Sequence, residues 1–500
     1  MIVLRGKRIN EFCMPHHDNR KENGMANKER LVVIGGVAAG MSAASSARRV
    51  KPEMEALVIE KDYFISYGAC SLPYYISNDV KDFNDLISLT PKVAEGERGI
   101  VVLVRHEALG IDTAKKEVRI RNLEKNEESA VAYDKLVIAT GGLPVKPPLP
   151  GIDLEHVFTI RTLLDGIAIK KYIDDWNAFE VCVGSPECLY VNRYGAGRRP
   201  MKGVIVGGGY IGMEMCESLR KRGLEVAVIE KMDRVLGTMD LDITRIVEEK
   251  IQAEGVKLYK ETSVQGFEGL QGRVAKVITD KGEFEADLVL LAIGARPNAE
   301  LAKRSGIELG VAGAVQVDEY QRTNIPDVYA AGDCAEAIHL VTGKKAYIAL
   351  GTTANKQGRI AGENAAGLNR RFEGIVGTAV TKIFDLEVAR TGLSSIDAGR
   401  EGYKFFTSTI TGRSRSSAYP SGKPITVSYL VEEETGRLLG AQMVGQEGVA
   451  HRIDTLATCL YGKMTIEDVA RLDLGYAPPF ATVWDPILVA ANVAVKKLRQ

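Results

Sequence analysis

Short apolar runs followed by glycine occur twice along the chain, and each predicts a buried strand that leads into a tight turn. The first run is Leu31–Ile34, and the segment Gly35–Gly40 follows it directly. Small residues continue as a predicted helix, and a second apolar run, Ala56–Ile59, ends in Glu60. Uninterrupted apolar runs of this length are typical of parallel strands buried on both faces. The order strand, glycine turn, helix, strand and acid therefore predicts a βαβ unit.

A second copy of the same pattern begins near residue 203 and matches it more fully. The strand Gly203–Val206 leads into the glycine turn Gly207–Gly212, and a helix is predicted over Met213–Arg222. The following strand, Glu225–Ile229, ends in Glu230. The first copy departs from the spacing G-x-G-x-x-G at Val37, whereas the second keeps all three glycines.

Each copy has the chemistry of a dinucleotide site. Glycine lets the backbone approach a pyrophosphate closely, and the N-terminus of the following helix offers free amides and a partial positive charge. A carboxylate at the end of the second strand accepts hydrogen bonds from ribose hydroxyls. Glu230 would repel a 2′-phosphate and so favours NADH, although Lys231 and Arg234 lie near enough in sequence to keep NADPH open.

Further turns at predicted strand ends support a flavin as one of two nucleotides. The apolar segment Thr323–Asp333 ends in Gly332-Asp333, where a carboxylate can bond the hydroxyls of a sugar or polyol. The strand Lys135–Ile138 is followed by Ala139-Thr140-Gly141. One flavin and one nicotinamide dinucleotide are the economical interpretation of two such units in one chain.

Composition and charge exclude several classes of protein. The chain has 500 residues, which is the length of about three domains. The 65 basic and 65 acidic residues cancel, which disfavours a nucleic-acid binder. The sequence offers no apolar stretch long enough to predict a membrane helix. Seven irregularly spaced cysteines, without zinc spacing, indicate a reducing cytoplasm and no metal site. Residues 1–27 are expected to form a disordered tail rather than a signal peptide.

The ordered motifs VVIGG…E, ATG, GGGYIG…E, AIGARPN and VYAAGDC resemble those of the two-dinucleotide flavoprotein disulfide reductases. The resemblance spans about 28–500 and implies an α/β fold with two Rossmann-like domains and a C-terminal α+β dimerisation domain. It implies an FAD domain over 28–155 and 298–372, an NAD(P)H domain over 156–297 and a dimerisation domain over 373–500.

That resemblance also implies which residues contact each cofactor. The residues expected to contact FAD are Gly35, Ala38, Glu60, Lys61, Thr140, Gly141, Asp333 and Ala349. Those expected to contact the nicotinamide dinucleotide are Gly207, Gly209, Tyr210, Gly212 and Glu230, with the tyrosine near the interface of nicotinamide and flavin.

A single cysteine, Cys70, lies in the segment Phe64–Tyr75, where the two-cysteine members of the family carry a C-x4-C pair. One cysteine must pass electrons through a mixed disulfide, a persulfide or a sulfenate. Cys70 precedes a predicted helix, and a helix N-terminus is expected to lower the pKa of a thiol.

The segment SYGACSLPYY resembles the single-cysteine branch, which contains NADH oxidase and peroxidase, coenzyme A disulfide reductase and coenzyme A persulfide or polysulfide reductase. The oxidases and peroxidases carry a histidine in the first glycine loop, and this chain has none there. YAPPF at Tyr476 resembles the coenzyme A reductases, in which this tyrosine reaches the partner subunit's cysteine as an acid. Tyr419 matches a second such tyrosine in part.

Coenzyme A requires local positive charge for its phosphates. The candidates are Arg48 and Arg49 on the first predicted helix and the segment 355–359, NKQGR, which resembles the coenzyme A-lining segment of the branch. The residues expected to bind this substrate are Ser66, Arg48, Asn355 and Arg359.

The sequence therefore predicts an obligate homodimer that passes electrons from NAD(P)H through FAD and Cys70 to a small disulfide or persulfide. Coenzyme A disulfide, coenzyme A persulfide and polysulfide stay open as substrates. An NADH oxidase and a flavoprotein redox sensor with little turnover are the alternatives. An insertion near 176–202 carries Cys182 and Cys188, whose role as a redox pair is a further alternative.

Overall fold

A computed structural model of the protein describes residues 28–174, 181–185, 188–192 and 199–500, with side chains for 28–174 and 199–500. The elements up to residue 174 are β1 (Arg30–Ile34), α1 (Ala38–Val50), β2 (Glu55–Ile59), α2 (Leu72–Ile76), α3 (Pro91–Arg98), β3 (Ile100–Leu103), β4 (His106–Asp112), β5 (Glu117–Asn122), β6 (Glu127–Ala132), β7 (Lys135–Ile138), β8 (Gly142–Pro144), β9 (Val157–Phe158) and α4 (Leu163–Asp174). Short 3-10 turns occupy Ala69–Ser71 and Phe83–Leu86.

The middle of the chain contains the second predicted unit. Its elements are β10 (Val181–Ser185), β11 (Cys188–Asn192), β12 (Lys202–Val206), α5 (Tyr210–Lys221), β13 (Glu225–Ile229), α6 (Leu241–Ala253), β14 (Lys257–Tyr259), β15 (Val264–Leu270), β16 (Arg273–Thr279), β17 (Gly282–Glu285), β18 (Leu288–Leu291) and β19 (Ala295–Pro297). The insertion contains the antiparallel hairpin β10–β11. The predicted Cys182–Cys188 pair lies outside the described side chains.

The C-terminal third begins with short elements and ends in a larger sheet. Its elements are α7 (Glu300–Arg304), a 3-10 turn at Val311–Gly313, β20 (Val328–Ala330), β21 (Ala337–Ile338), β22 (Lys345–Ala346), α8 (Gly351–Ala365), β23 (Ala379–Ile383), β24 (Leu386–Gly392), α9 (Ser395–Glu401), β25 (Phe405–Arg413), β26 (Pro424–Glu432), β27 (Leu438–Gly445), α10 (Val449–Tyr461), α11 (Ile466–Ala470) and α12 (Pro486–Leu498).

Two five-stranded parallel sheets form the nucleotide-binding cores. The first has the order β20-β7-β1-β2-β3 and the second β14-β13-β12-β18-β9. In the first, Leu31 pairs with Ala56 and Val33 pairs with Val58, and all four residues are essentially buried. β20 lies far along the chain but pairs with β7, so the segment after the second sheet returns to the first. The sheet edge where β1, β2 and β7 end carries the glycine turn.

Antiparallel pieces flank these sheets and build the C-terminal domain. The sheets β4-β5-β6 and β15-β16-β17 each have three strands, and the C-terminal sheet has the order β23-β24-β27-β26-β25. Helices α10 and α12 pack against this last sheet, and the buried Tyr429 donates its hydroxyl to the carbonyl of Ile487 at 3.0 Å. None of the helices in the described ranges is long and apolar enough to cross a membrane.

Helices α1 and α8 approach each other through glycine. A Cβ atom added at Gly362 would lie 2.0 Å from the carbonyl oxygen of Ala43, and one added at Gly358 would lie 2.2 Å from that of Ala39. Both distances are far inside van der Waals contact. This close packing holds α8 against the helix that follows the first glycine turn.

We expect Gly362→Ala to lower the free energy of unfolding by about 1–3 kcal/mol, because the added methyl group overpacks the contact of α1 with α8. Gly399→Ala is the matched control, since Gly399 is also helical and no atom lies within 4 Å of its added Cβ. The control should be neutral or slightly stabilising. Denaturant or thermal unfolding of both variants, with FAD retention measured alongside, tests this; equal stability of the two would contradict the packing argument.

Candidate active site

The first glycine turn has the geometry of a pyrophosphate cradle. Gly35 has φ +102°, and a Cβ there would lie 2.2 Å from the carbonyl oxygen of Ala139. The backbone N–H of Gly36 donates to a carboxylate oxygen of Glu60 at 2.6 Å, which fixes this acid at the end of β2. Helix α1 begins at Ala38, and Val37 gives it no side-chain cap. Its first amides are therefore open to an anionic ligand.

The second glycine turn repeats this geometry. Gly207 has φ +104°, and its added Cβ would lie 2.6 Å from the carbonyl oxygen of Ala292. Glu230 accepts from the backbone N–H groups of Gly208 at 2.6 Å and Met232 at 2.7 Å. Gly209 precedes the first residue of α5, Tyr210, whose phenol has a pKa raised by burial. Both turns thus fit the phosphates of a dinucleotide.

Residues predicted to contact the flavin lie around the end of β7 and the start of α8. Asp333 pairs with Arg161 at 2.7 Å. Gly141 has φ +71°, and a Cβ atom added there would lie 3.3 Å from the same guanidinium. Thr140 donates its hydroxyl to the carbonyl of Asn298 at 2.6 Å. Two other predicted residues differ in surroundings: the exposed Lys61 pairs with Glu107 at 2.7 Å, and Ala349 lies exposed just before α8. Their contacts with FAD stay predictions.

Arg161 and Tyr347 are polar residues at this site that the sequence patterns did not predict. The buried hydroxyl of Tyr347 has no hydrogen-bond partner among the described residues. Burial and the nearby Asp333 carboxylate raise the pKa of this phenol to about 12. A buried donor without a partner raises the free energy of the folded state. This hydroxyl is therefore suited to hydrogen-bond a polar group of a bound ligand. The residues present therefore fit FAD.

Cys70 lies in the 3-10 turn directly before α2 and is exposed. Its thiol pKa is raised, first by loss of hydration among the surrounding protein groups and second by the negative charge of Glu214 on α5. This differs from the lowered pKa that the sequence predicts. The physical reason is that loss of hydration raises the pKa most and the negative charge of Glu214 raises it further, whereas α2 has only five residues and its dipole is too weak to offset them.

Glu214 is an acid whose proximity to Cys70 the sequence patterns do not indicate. Burial raises the pKa of its carboxyl to about 6. Thr381 of β23 donates its hydroxyl to this carboxylate at 2.9 Å. The C-terminal domain thereby holds in place a charge that acts on the thiol of the first domain.

A groove of about 340 Å³ runs between α1 and α8, beside the first glycine turn. Its lining includes Ala38 at the start of α1. The polar and charged residues that line it are Ser42, Ser45, Ser46, Arg49, Ser66, Arg98, Asn355, Lys356 and Arg359. Two of the arginines are oriented by serines: Arg49 donates to Ser46 at 2.9 Å and Arg98 donates to Ser45 at 3.1 Å. The structure thus brings the predicted Ser66, Asn355 and Arg359 together in one cationic groove.

Arg48, which is also predicted to bind the substrate, is not among the residues that line this groove, and its guanidinium bonds backbone carbonyls instead. It donates to the carbonyls of Met54 at 2.8 Å and Arg98 at 3.3 Å, and also bonds the carbonyl of Pro52. These bonds tie the end of α1 to the end of α3. One residue further along the helix, about 100° around its axis, Arg49 faces the groove instead.

Tyr419 and Tyr476 lie on neighbouring loops of the C-terminal domain, 38% and 48% exposed. The backbone N–H of Ser416 donates to the carbonyl of Pro478 at 3.3 Å and joins the two loops. The guanidinium of Arg415 lies 5.7 Å from the centre of the Tyr419 ring. No group of three or more His, Cys, Asp or Glu side chains suited to a metal ion occurs among the described residues.

Comparison with known proteins decides the family. Residues 29–358 match the model of the pyridine nucleotide-disulphide oxidoreductases, and residues 378–486 match the dimerisation domain of the same family. The chain is a pyridine nucleotide-disulphide oxidoreductase. This confirms the predicted family and the α/β fold with two nucleotide-binding units and a C-terminal dimerisation domain.

Individual pyridine nucleotide-disulphide oxidoreductases are similar over nearly the whole chain. The NAD(P)H sulfur oxidoreductase (CoA-dependent) of Pyrococcus abyssi is 40% identical, covering 93% of this chain and 98% of that protein. An NADH oxidase of Methanocaldococcus jannaschii is 36% identical, with coverage of 94% and 99%. The structure of an NAD-dependent persulfide reductase from A. fulgidus superposes with a TM-score of 0.86 at 37% identity, covering 94% of this chain and 83% of that one. The protein is therefore an FAD- and NAD(P)H-dependent enzyme, as predicted.

We expect Glu214→Gln to lower the pKa of Cys70, because the substitution removes the negative charge that raises it. The difference should be greatest above about pH 6, where the native carboxyl is ionised. The rate at which iodoacetamide alkylates Cys70 in the holoenzyme, measured against pH, reports the thiolate fraction. Glu225→Gln makes the same change of charge at an exposed strand position and should leave the profile unchanged. An unshifted profile in Glu214→Gln would refute the assignment.

Proposed function

We propose that this enzyme carries two electrons from NAD(P)H through FAD and Cys70 to a disulfide or persulfide of coenzyme A, or to polysulfide. The observation that carries the proposal is the cationic groove between α1 and α8. Its lining includes Ser66, four residues before Cys70, and side chains of the helix that follows the first glycine turn. A substrate bound along it would present its sulfur end near the thiol.

The groove has the charge that coenzyme A requires. Coenzyme A carries a pyrophosphate and a 3′-phosphate, and guanidinium groups bind phosphate oxygens with paired donors. Arg49, Arg98 and Lys356 line the groove, together with Arg359, which is paired with Glu363 at 2.8 Å. A small neutral disulfide would gain nothing from these cations. The similarity to CoA-dependent sulfur and persulfide reductases supports the same substrate class.

The chemistry at Cys70 balances as a thiol–disulfide exchange. FAD, when bound, supplies the path by which the two electrons of the nicotinamide reach the sulfur. The Cys70 thiolate attacks one sulfur of the substrate, a Cys70–substrate disulfide forms, and the other half leaves as a thiolate. The two electrons then break the mixed disulfide and restore the Cys70 thiolate. With protons for the departing thiolates, one NAD(P)H and one proton convert one disulfide into two thiols.

Tyr476 and Tyr419 supply the protons in this proposal, acting on Cys70 of a second copy of the chain. Both phenols are exposed on the dimerisation domain. An acid that serves a neighbouring subunit has to be exposed in this way. Apolar side chains that follow Tyr476 in the chain are also exposed, namely Phe480, Val483, Trp484, Val489 and Val493. A patch of this kind is typical of a protein interface. The enzyme would thus be a homodimer with shared active sites.

The nucleotide preference and the compartment follow from other residues. Glu230 lies at the end of β13 beside the second glycine turn, where it would accept hydrogen bonds from a ribose and its charge would disfavour the 2′-phosphate of NADPH. Arg234, one of the two cations that could offset that charge, is paired with Asp233 at 2.8 Å. We therefore propose NADH as the preferred donor. Cys70, Cys216, Cys334 and Cys459 are free thiols, in keeping with a reducing cytoplasm.

An NADH oxidase is the second candidate, and the similarity to the oxidase of Methanocaldococcus jannaschii favours it. Helix α1 begins with Ala38 and Ala39, so the first glycine turn presents no histidine beside the flavin to assist peroxide or oxygen chemistry. A cationic groove and paired tyrosines also have no role in oxygen reduction. The two functions are separated by the electron acceptor that turns over fastest.

We expect Cys70→Ser to lower anaerobic turnover of coenzyme A disulfide at least about 1000-fold, because a hydroxyl does not exchange with disulfides. Reduction of bound FAD by NADH should persist at the native rate. Stopped-flow flavin absorbance and NADH consumption with coenzyme A disulfide, coenzyme A persulfide and polysulfide measure both steps. Cys459→Ala, at a buried cysteine on α10, is the control.

Three results would contradict this proposal. Full disulfide turnover in Cys70→Ser would remove the cysteine from the mechanism. NADH consumption that requires oxygen and ignores every sulfur acceptor would establish the oxidase. A protein that binds NADH but turns over with neither class of acceptor would be a redox sensor.

We expect Arg49→Gln to raise the KM for coenzyme A disulfide about tenfold, because a lost charge-assisted bond to phosphate costs about 1.5 kcal/mol. Turnover of 2-hydroxyethyl disulfide, which has no phosphate, should not change. Arg245→Gln removes an exposed helical arginine from α6 and serves as the matched control. Equal KM values for coenzyme A disulfide in the native enzyme and Arg49→Gln would show that the substrate does not occupy this groove.

A further inference from the structure

A partly buried guanidinium contacts the two loops that carry the tyrosines. Arg452 projects from the first turn of α10, and its side chain is 12% exposed. It donates to both carboxylate oxygens of Asp485, at 2.9 and 3.2 Å. Asp485 in turn caps the start of α12 by accepting from the N–H of Ile487 at 3.0 Å. The ion pair therefore joins the starts of two helices of the dimerisation domain.

The remaining donors of Arg452 reach the loops themselves. Its Nη2 atom donates to the carbonyl of Ser414 at 3.0 Å and to the carbonyl of Phe480 at 3.2 Å. Nη1 donates to the carbonyl of Gly448 at 3.1 Å. Ser414 lies five residues before Tyr419, and Phe480 lies four residues after Tyr476. One planar group thus holds two segments that are more than sixty residues apart in the chain.

Each loop is closed locally at the point that Arg452 contacts. The N–H of Ser414 donates to the carbonyl of Lys423 at 2.8 Å, and that of Lys423 donates back to the Ser414 hydroxyl at 2.9 Å, so Tyr419 lies within a closed loop. The N–H of Phe480 donates to the carbonyl of Ala477 at 2.9 Å and closes a turn beside Tyr476. Fixing Ser414 and Phe480 against one guanidinium therefore fixes the position of each loop.

We propose that Arg452 is the positioning residue that sets the placement of Tyr419 and Tyr476 relative to each other for protonation of the leaving thiolate. This inference rests on the proposed function of the two tyrosines. Arginine suits the role because its fixed fork of donors serves a carboxylate and several carbonyls at once, whereas the compact ammonium of lysine does not. A displacement of an acid by about 1 Å can cost up to about 100-fold in rate.

The test compares Arg452→Lys in the native enzyme and in Tyr476→Phe. We expect Arg452→Lys alone to lower kcat for coenzyme A disulfide at least about tenfold. The KM for NADH and the rate of flavin reduction should stay unchanged. In the Tyr476→Phe background the same substitution should cost less than about threefold, because only Tyr419 remains to be positioned.

Arg220→Lys is the matched control. Arg220 also bonds two carbonyls, those of Glu254 at 3.1 Å and Leu224 at 3.0 Å, but it lies at the end of α5 in the nucleotide-binding region. Its substitution should leave kcat for the disulfide unchanged in both backgrounds. FAD content and dimer mass of every variant are measured with the kinetics.

Three outcomes would overturn the inference. An unchanged kcat in Arg452→Lys, with Tyr476→Phe slow, would remove Arg452 alone and keep the tyrosine. An equal loss in both backgrounds, or loss of FAD or of the dimer, would show a general role in stability. Native activity of Tyr476→Phe would instead refute the tyrosine step of the proposed function. The activity of Tyr476→Phe is therefore measured before any Arg452 variant is compared.

Discussion

The close approach of a strand carbonyl to a glycine turn is the constraint on which the rest of the molecule depends. At Gly35 and again at Gly207 the neighbouring carbonyl leaves no room for a Cβ atom, and φ is close to +100° at both. In both turns the next amide donates to a carboxylate at 2.6 Å. The same geometry, built twice, orients the N-termini of α1 and α5 toward their nucleotides. Electron transfer between two nucleotides requires that both turns be fixed in this way.

Contacts between distant segments convert two such units into one active site. Helix α8 packs on α1 with its glycines against the backbone of α1. This packing forms the groove and brings cations of both helices into its lining. The C-terminal domain rests on α5 through Glu217, which accepts from Lys382 at 2.5 Å and from the N–H of Phe384 at 2.9 Å. One turn earlier on the same helix, Glu214 binds Thr381 and acts on Cys70. The charge around the thiol is therefore set by all three parts of the chain.

The sequence could predict what depends on local periodicity, and it could not predict what depends on side-chain direction. The strands at Leu31, Lys135 and Gly203 lie within one residue of their predicted positions, because a buried parallel strand between turns leaves a clear apolar run. Arg48 and Arg49 are adjacent, and only the helix phase against α8 decides which one faces the groove. The effect of Glu214 on Cys70 joins residues 144 positions apart, so no local pattern indicates it.

A raised thiol pKa is compatible with sulfur chemistry when the direction of each step is considered. A thiolate of higher pKa is the stronger nucleophile, although a smaller fraction of it is present at neutral pH. In the mixed disulfide the sulfur with the lower thiol pKa leaves more readily. Glu214 and loss of hydration both raise the pKa of Cys70, and a raised pKa makes Cys70 a poorer leaving group when that bond breaks. This favours release of the product as its thiolate, with the sulfur of Cys70 kept in the site. An acid placed beside the departing thiolate is what this arrangement still requires, and the two exposed tyrosines of the dimerisation domain are suited to supply it.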